Sequence, residues 1–130
     1  SDQIPPTAPK LGIVAEPQAY KTLAGEVVDP SRANLTTRIW SMGQVHRVLP
    51  LTGAMCLAVA CKIPGTLCER NTKGEGADIK LANPSGVLPL NAVVEARGNK
   101  IIARHVTAYR TARTLMEGNI LIPDRAHEGL

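Results

Sequence analysis

Aromatic side chains are scarce in this chain of 130 residues. It has no phenylalanine, and its only large rings are Trp40, Tyr20 and Tyr109. A hydrophobic core must therefore be built from Val, Ile, Leu and Ala. Nucleic-acid binding is disfavoured, because few rings can stack on bases and no run of Lys or Arg exceeds two residues. The net charge of +4 suits a small anion as well as a polyanion.

Long apolar runs are also missing. The most apolar stretch, residues 49–63, is interrupted by Pro50 and Thr52. It is shorter than the about 20 residues that a membrane-spanning helix needs. We therefore expect no membrane partner.

Metal-ligand spacings are absent as well. The three cysteines lack C-x-x-C spacing, and the three histidines are scattered. We expect no metal site, and we interpret Cys56, Cys61 and Cys68 as buried reduced thiols. Cys56 lies near a predicted helix start and is therefore a candidate nucleophile. We favour the interpretation that it packs in an apolar helix. Reduced thiols and the lack of a signal peptide predict a cytoplasmic protein.

The length and the composition suit one globular domain, with 44% hydrophobic and 20% charged residues. Residues 1–10, "SDQIPPTAPK", read as a linker, and residues 11–130 as the domain. The chain does not begin with Met. We therefore expect a fragment or the continuation of a larger protein.

The pattern along the chain predicts both helices and strands. Residues 11–16 read as a buried strand, and Asp29-Pro30 as the start of a helix through Met42 that Gly43 ends. Further strands are predicted at 77–83, 87–97 and 100–114, with a hairpin turn at Gly98-Asn99. Residues 117–119 read as a turn between apolar arms.

Residues 52–63 predict a helix that is apolar on every side and rich in small residues. Such a helix must be buried all round. The simplest architecture that buries it is an α+β fold in which a curved mixed or antiparallel sheet wraps around the helix. We therefore expect Met55, Leu57, Val59 and Ile63 all to be buried. Its free N–H groups at residues 52–55 would then face a ligand, and Gly53 would let an anion approach.

Three segments carry a family resemblance: "RIWSMGQVHRVLPLTGAMCLAVACKIPGTL", "NPSG" and "YRTARTLMEGNILIP". They resemble the carboxy-terminal part of the 2-methylaconitate isomerase (PrpF-like) family. The resemblance implies a diaminopimelate epimerase-like fold, in which two similar domains each wrap a sheet around a helix and the active site lies between them. It covers nearly all of the chain after about residue 10, but only the second half of a family protein.

The resemblance also implies the activity. Family members isomerise small unsaturated di- or tricarboxylic acids by proton transfer, without a cofactor. Their catalytic Cys and Lys belong to the amino-terminal domain, which this chain lacks, so we expect no activity from the chain alone. The alternative is a non-catalytic module that binds a small acid or a partner chain.

By the same resemblance, nine residues are expected to face the cleft and bind the substrate: Ser41, Met42, Gly43, His46, Thr52, Gly53, Ala54, Ser85 and Gly86. Asn83 stands where the family turn usually has His, and it cannot titrate near neutral pH. Ordinary caps and turns would explain most of these residues equally well. Arg110 and Arg113 could bind substrate carboxylates or pair with the missing domain.

Overall fold

The computed structural model describes residues 10–98 and 100–121. Its elements, in chain order, are β1 (Leu11–Ala15), β2 (Tyr20–Lys21), β3 (Val27–Val28), β4 (Leu35–Ser41), β5 (Gln44–Val45), α1 (Leu51–Ala60), α2 (Leu67–Asn71), β6 (Asp78–Asn83), β7 (Gly86–Arg97) and β8 (Lys100–Ala108). The linker predicted at residues 1–10 lies outside the described residues except for Lys10. Among the described residues, no helix is long and apolar enough to cross a bilayer.

The main sheet is mixed, in the order β1-β4-β6-β7-β8. Only β4 and β6 run parallel, and the other pairs are antiparallel. The short strand β5 pairs with the end of β4 at Trp40, which also pairs with Leu11 of β1. Since a strand has two edges, β5 lies on the β6 side of β4, beyond the point where β6 stops.

The sheet curls around α1, as predicted. The core contains alternate residues of β4, together with Ile79, Leu81 and Leu90, and the small helical residues Ala54 and Ala58. Both alanines are completely buried. Their short side chains let the helix lie close to the sheet, so the α+β class with a curved mixed sheet around an apolar helix is confirmed.

The helix predicted from Asp29 to Met42 is wrong. Asp29 caps only a single 3-10 turn at Pro30–Arg32, and residues 35–41 form strand β4. Its inward side chains include Thr37 and Ser41, which are polar and almost fully buried. These polar residues obscured the period of two, so the i, i+4, i+7 spacing of Leu35, Ile39 and Met42 suggested a helix.

The burial predicted for α1 is incomplete in this chain. Thr52 and Cys56, one turn apart on one face, are exposed, and the four residues expected to be buried, Met55, Leu57, Val59 and Ile63, are only partly so. The open face borders β1, the last strand on that side of the described sheet. The residues there form an apolar groove of about 320 Å³, lined by Lys10, Gly12, Ile39, Thr52, Gly53, Cys56 and Leu57.

The first two strands predicted after α1 are confirmed with small shifts at their ends, and the third is confirmed only in its first nine residues. In the predicted hairpin, Arg97 pairs with Lys100, while Asn99 of the expected turn lies outside the described residues. The return strand stops at Ala108, earlier than predicted. Residues 109–121 form no regular element, and Leu115, Met116, Ile120 and Leu121 are 80–93% exposed. The predicted turn at 117–119 is therefore not formed between paired arms.

Candidate functional site

Met42 and Gly43 form the tip of the β4–β5 hairpin, not the end of a helix. Ser41 pairs with Gln44 across this tip, and both intervening residues have positive φ, 54° at Met42 and 77° at Gly43. Two-residue hairpin turns favour such angles because they match the twist of the strands. Glycine adopts a positive φ easily, whereas methionine is strained there. Strain of this kind often marks functional residues.

No side chain of the described residues caps the start of α1. Pro50 occupies the capping position, and its carbonyl accepts the first helical bond, from Ala54 N at 2.8 Å. The N–H groups of Leu51, Thr52 and Gly53 precede that first bond, and together with the helix dipole they favour an anion. Gly53 has a packing role as well: a Cβ there would lie 2.8 Å from Ile39 Cδ1. Its small size therefore lets the helix approach β4.

The turn Asn83–Gly86 between β6 and β7 is held from several sides. Ser85 N donates to Asn83 Oδ1 at 3.1 Å, and Ser85 Oγ donates to the carbonyl of Arg47 at 2.6 Å. The Tyr20 hydroxyl donates to the carbonyls of Asn83 and Gly86, each at 2.8 Å. The turn is therefore a fixed part of the structure, although Ser85 itself is exposed.

Two depressions adjoin at Val48, just before α1. One, of about 410 Å³, is lined by Leu23, Ala24, Arg47, Val48 and Ser85. The other, of about 150 Å³, is lined by Val48, Leu49, Leu51, Leu88 and Arg110. We call this pair the Val48 depressions. Arg47 and Ser85 thus line one depression, Arg110 and the first residue of α1 line the other, and Val48 borders both.

His46 lies in the same connection from β5 to α1. Its backbone N–H donates to the Ile39 carbonyl at 2.8 Å. Its Nε2 atom is buried and has no hydrogen-bond partner among the described residues, as is also true of Thr37 Oγ1. A buried polar atom without a partner is costly, so it commonly marks a place where a water or a ligand binds.

The predicted site residues separate into three places. Ser85 and Gly86 belong to the turn beside Arg47, while Thr52 and Gly53 line the apolar groove towards β1. The tip of the β4–β5 hairpin lies away from the Asn83–Gly86 turn. Thr36 pairs with Ala82 in parallel strands, so Thr37 is level with Asn83, and Ser41 lies four residues beyond that level, about 13 Å along the strand. Ser41 is buried at the base of this tip, Met42 is exposed, and Ala54 belongs to the core.

The cysteines are all free thiols. Burial raises the pKa of the Cys61 thiol to about 11, and burial also raises the pKa of Cys68. Cys61 is buried, as predicted, whereas Cys68 is only half-buried and Cys56 is exposed, contrary to the prediction. Within the part of the chain that the structure describes, no three His, Cys, Asp or Glu residues could hold a metal ion together.

Sequence reasoning missed Tyr20 and Arg47. The pattern of residues 20–29 fits a strand or a loop equally well, and the hydrogen-bond partners of Tyr20 lie 63 and 66 residues away. The rarity of aromatic residues was the one available signal, because each of the two tyrosines would bring a hydroxyl that needs a hydrogen-bond partner when it is buried. No local sequence pattern predicts a role for Arg47, since its position depends on the path of the chain after β5.

Comparisons with known proteins agree with the resemblance. The profile of the family described as "PrpF protein" matches residues 1–123. The chain is 33% identical over 117 residues to the 2-methyl-aconitate isomerase of Shewanella oneidensis, covering 88% of this chain and 29% of that protein. It is 30% identical over 119 residues to the 2-methyl-aconitate isomerase of Cupriavidus necator, covering 91% and 30%.

The fold is similar to the crystal structure of a methylitaconate-delta-isomerase. The TM-score is 0.72 at 26% identity, and the match covers 88% of this chain and 29% of that one. The chain thus spans about 30% of the length of the curated relatives that it matches.

Proposed function

Since this chain belongs to the PrpF family, we propose that it supplies the carboxylate-binding half of a cofactor-independent isomerase of an aconitate-like unsaturated di- or tricarboxylic acid. One observation carries the proposal. Of the two adjoining Val48 depressions, one is lined by Arg47 and Ser85, and the other by Arg110 and Leu51 at the start of α1. Arginines, hydroxyl groups and free N–H groups at a helix start are the groups that bind carboxylates.

The chemistry needs these donors. A base removes an allylic proton, and the negative charge spreads into the neighbouring carboxylate. Hydrogen-bond donors and arginines that hold that carboxylate stabilise the charge as it develops. Return of the proton at another carbon shifts the double bond, and rotation before its return exchanges cis and trans.

The base of this proposal comes from another part of the protein. Among the described residues that line the Val48 depressions, none is His, Lys, Cys, Asp or Glu. The arginines remain protonated in proteins and cannot serve as the base. This composition suits a surface that grips the acid while a second surface moves the proton.

Exposed apolar side chains support the proposal that a second domain packs against this chain. Residues 115, 116, 120 and 121 present large apolar side chains to solvent, and α1 exposes one face beside β1. Apolar surface of this kind normally packs against another body. We propose that an amino-terminal domain of the same protein covers these surfaces and brings the base to the Val48 depressions.

The test compares the chain with a longer protein that contains it together with a preceding domain. Both are incubated in heavy water with a panel of aconitate-like acids, and deuterium incorporation is followed by mass spectrometry. We expect exchange with the longer protein and none with the isolated chain. No exchange with any acid, or rapid exchange by the chain alone, would contradict the proposal, and binding without exchange would favour the non-catalytic module.

Two arginine variants of the longer protein sharpen the test. Both arginines are exposed, but Arg110→Gln removes a charge that lines the Val48 depressions, whereas Arg113→Gln removes one that lines neither of them. A hydrogen bond to a charged group is worth about 1.5–3 kcal/mol, so Arg110→Gln should lower kcat/KM by roughly 10- to 150-fold. Arg113→Gln should change it little. Equal effects of the two variants would contradict the assignment of Arg110.

A further inference from the structure

The Tyr20 hydroxyl bridges two carbonyls of one turn. It lies 2.8 Å from the oxygens of Asn83 and Gly86, the residues on either side of Pro84-Ser85. One phenolic proton is shared between them. Because Tyr20 is more than 60 residues away along the chain, this contact fixes the turn against a separate element.

Tyr20 belongs to β2, which pairs with β3 in an antiparallel hairpin, and this hairpin makes a second contact with the turn. Leu23 N, from the loop between β2 and β3, donates to the Pro84 carbonyl at 2.8 Å. The Tyr20 ring is itself held in place, because the Arg38 guanidinium lies 5.2 Å from its centroid. Three carbonyls of the turn, those of Asn83, Pro84 and Gly86, therefore accept hydrogen bonds from β2 and its loop.

The hydroxyl remains a donor across the neutral range. Burial raises the pKa of Tyr20 above its ordinary value of 10.0, with the nearby Arg38 charge opposing this effect. The carbonyls can only accept a hydrogen bond. Tyr20 therefore keeps its proton and its contact with the turn wherever the protein is folded at neutral pH.

We propose that Tyr20 is a positioning residue: its hydroxyl fixes the Asn83–Gly86 turn, and thereby holds Ser85 and its neighbouring N–H groups in the geometry that receives a substrate carboxylate. The claim that the turn receives a carboxylate rests on the proposed function. The claim that Tyr20 fixes the geometry of the turn does not depend on any ligand. Preorganised donors bind a charge better than mobile ones because they lose less freedom on binding.

The experiment uses two matched variants of the full 130-residue chain. Tyr20→Phe removes the hydroxyl at the Asn83 end of β6. Tyr109→Phe removes a hydroxyl that donates to Asp78 Oδ1 at 3.0 Å, at the other end of the same strand. Amide hydrogen exchange of Leu23 and Ser85 reports on the geometry of the turn. Titration with trans-aconitate, followed by NMR, measures the affinity for a carboxylate ligand. Thermal unfolding of both variants measures any general loss of stability.

We expect Tyr20→Phe to speed the exchange of these two amides by about 3- to 10-fold and to weaken trans-aconitate binding by a similar factor, as the loss of one neutral hydrogen bond predicts. Tyr109→Phe should change neither. A merely structural role would lower the melting temperature without this selective loss of affinity.

Two outcomes would overturn the inference, and they differ. If Ser85 exchange is unchanged in Tyr20→Phe while Ser85→Ala still weakens trans-aconitate binding, Tyr20 does not position the turn and the proposed function stands. If exchange speeds up but neither Tyr20→Phe nor Ser85→Ala alters the affinity, the turn does not hold the carboxylate. That second result counts against the proposed site itself.

Discussion

The Ser85 hydroxyl donates a 2.6 Å hydrogen bond to the backbone carbonyl of Arg47. This bond joins the β6–β7 turn to the connection that leads into α1, across 38 residues of sequence. It also means that the hydroxyl already has an acceptor when no substrate is bound. A carboxylate must therefore replace the neutral Arg47 carbonyl as the acceptor of this hydrogen bond, an exchange that favours the charged acceptor because such bonds are roughly twice as strong.

Ser85→Ala should therefore lower both stability and activity. Loss of the bond to Arg47 should cost about 1 kcal/mol in the free energy of unfolding, measured with urea. In the longer protein we expect kcat/KM to fall by at least about 10-fold. The matched control is Ser31→Ala, which removes an exposed hydroxyl that donates to Asp29 Oδ1 at 2.6 Å. Full activity of Ser85→Ala would show that this turn has no part in binding.

Gly53 and Ile39 should be energetically coupled. A Cβ at residue 53 would lie 2.8 Å from Ile39 Cδ1, so Gly53→Ala forces that methyl group to move. The crowding should cost about 1–3 kcal/mol, against a gain of about 1 kcal/mol in helix propensity. In an Ile39→Val background, which lacks Cδ1, only the gain remains. A double-mutant cycle by urea denaturation should give a coupling of at least about 1 kcal/mol, and strict additivity would contradict this contact.

Met42→Asn should stabilise the protein. Met42 has a φ of 54°, which costs most side chains about 1–2 kcal/mol, whereas Asn-Gly is a preferred pair in such hairpin turns. We expect the free energy of unfolding to rise by about 0.5–1 kcal/mol. Met116→Asn is the control, since Met116 is exposed and its φ is not positive. A stabilised Met42→Asn with reduced activity in the longer protein would indicate that the methionine is kept for function.

Cys61 should make the stability fall in alkaline solution. Its pKa is about 11 in the folded chain against 9.0 for an ordinary thiol. Between these values the unfolded chain has lost a proton that the folded chain keeps, so the free energy of unfolding decreases as pH rises. The decrease should approach at most about 1.4 kcal/mol per pH unit between the two pKa values and fade out within about one pH unit below 9.0. Cys61→Ala should lose this part of the slope, while Cys56→Ala, at an exposed position of α1, should keep it.

Local pattern predicted most of the elements. Strand β1, helix α1 and the strands from β6 to β8 follow from apolar periodicity and turn residues, and the small residues of α1 predicted a helix inside a curved sheet. The segment of residues 35–41 was misread because Thr37 and Ser41 are polar yet buried. Its β-branched and aromatic content was the signal for a strand, but the apparent spacing of Leu35, Ile39 and Met42 hid it.

The sequence by itself determined the family, the α+β class and the apolar helix, because periodicity, turn residues and long motifs are properties of neighbouring residues. Only the tertiary structure decided which groups meet. It placed Tyr20 under a turn more than 60 residues away, Arg110 beside the start of α1, and the Met42–Gly43 hairpin about 13 Å beyond that turn. Such contacts depend on how the curled sheet packs on α1, and side-chain packing across the fold leaves no local pattern from which they could be predicted.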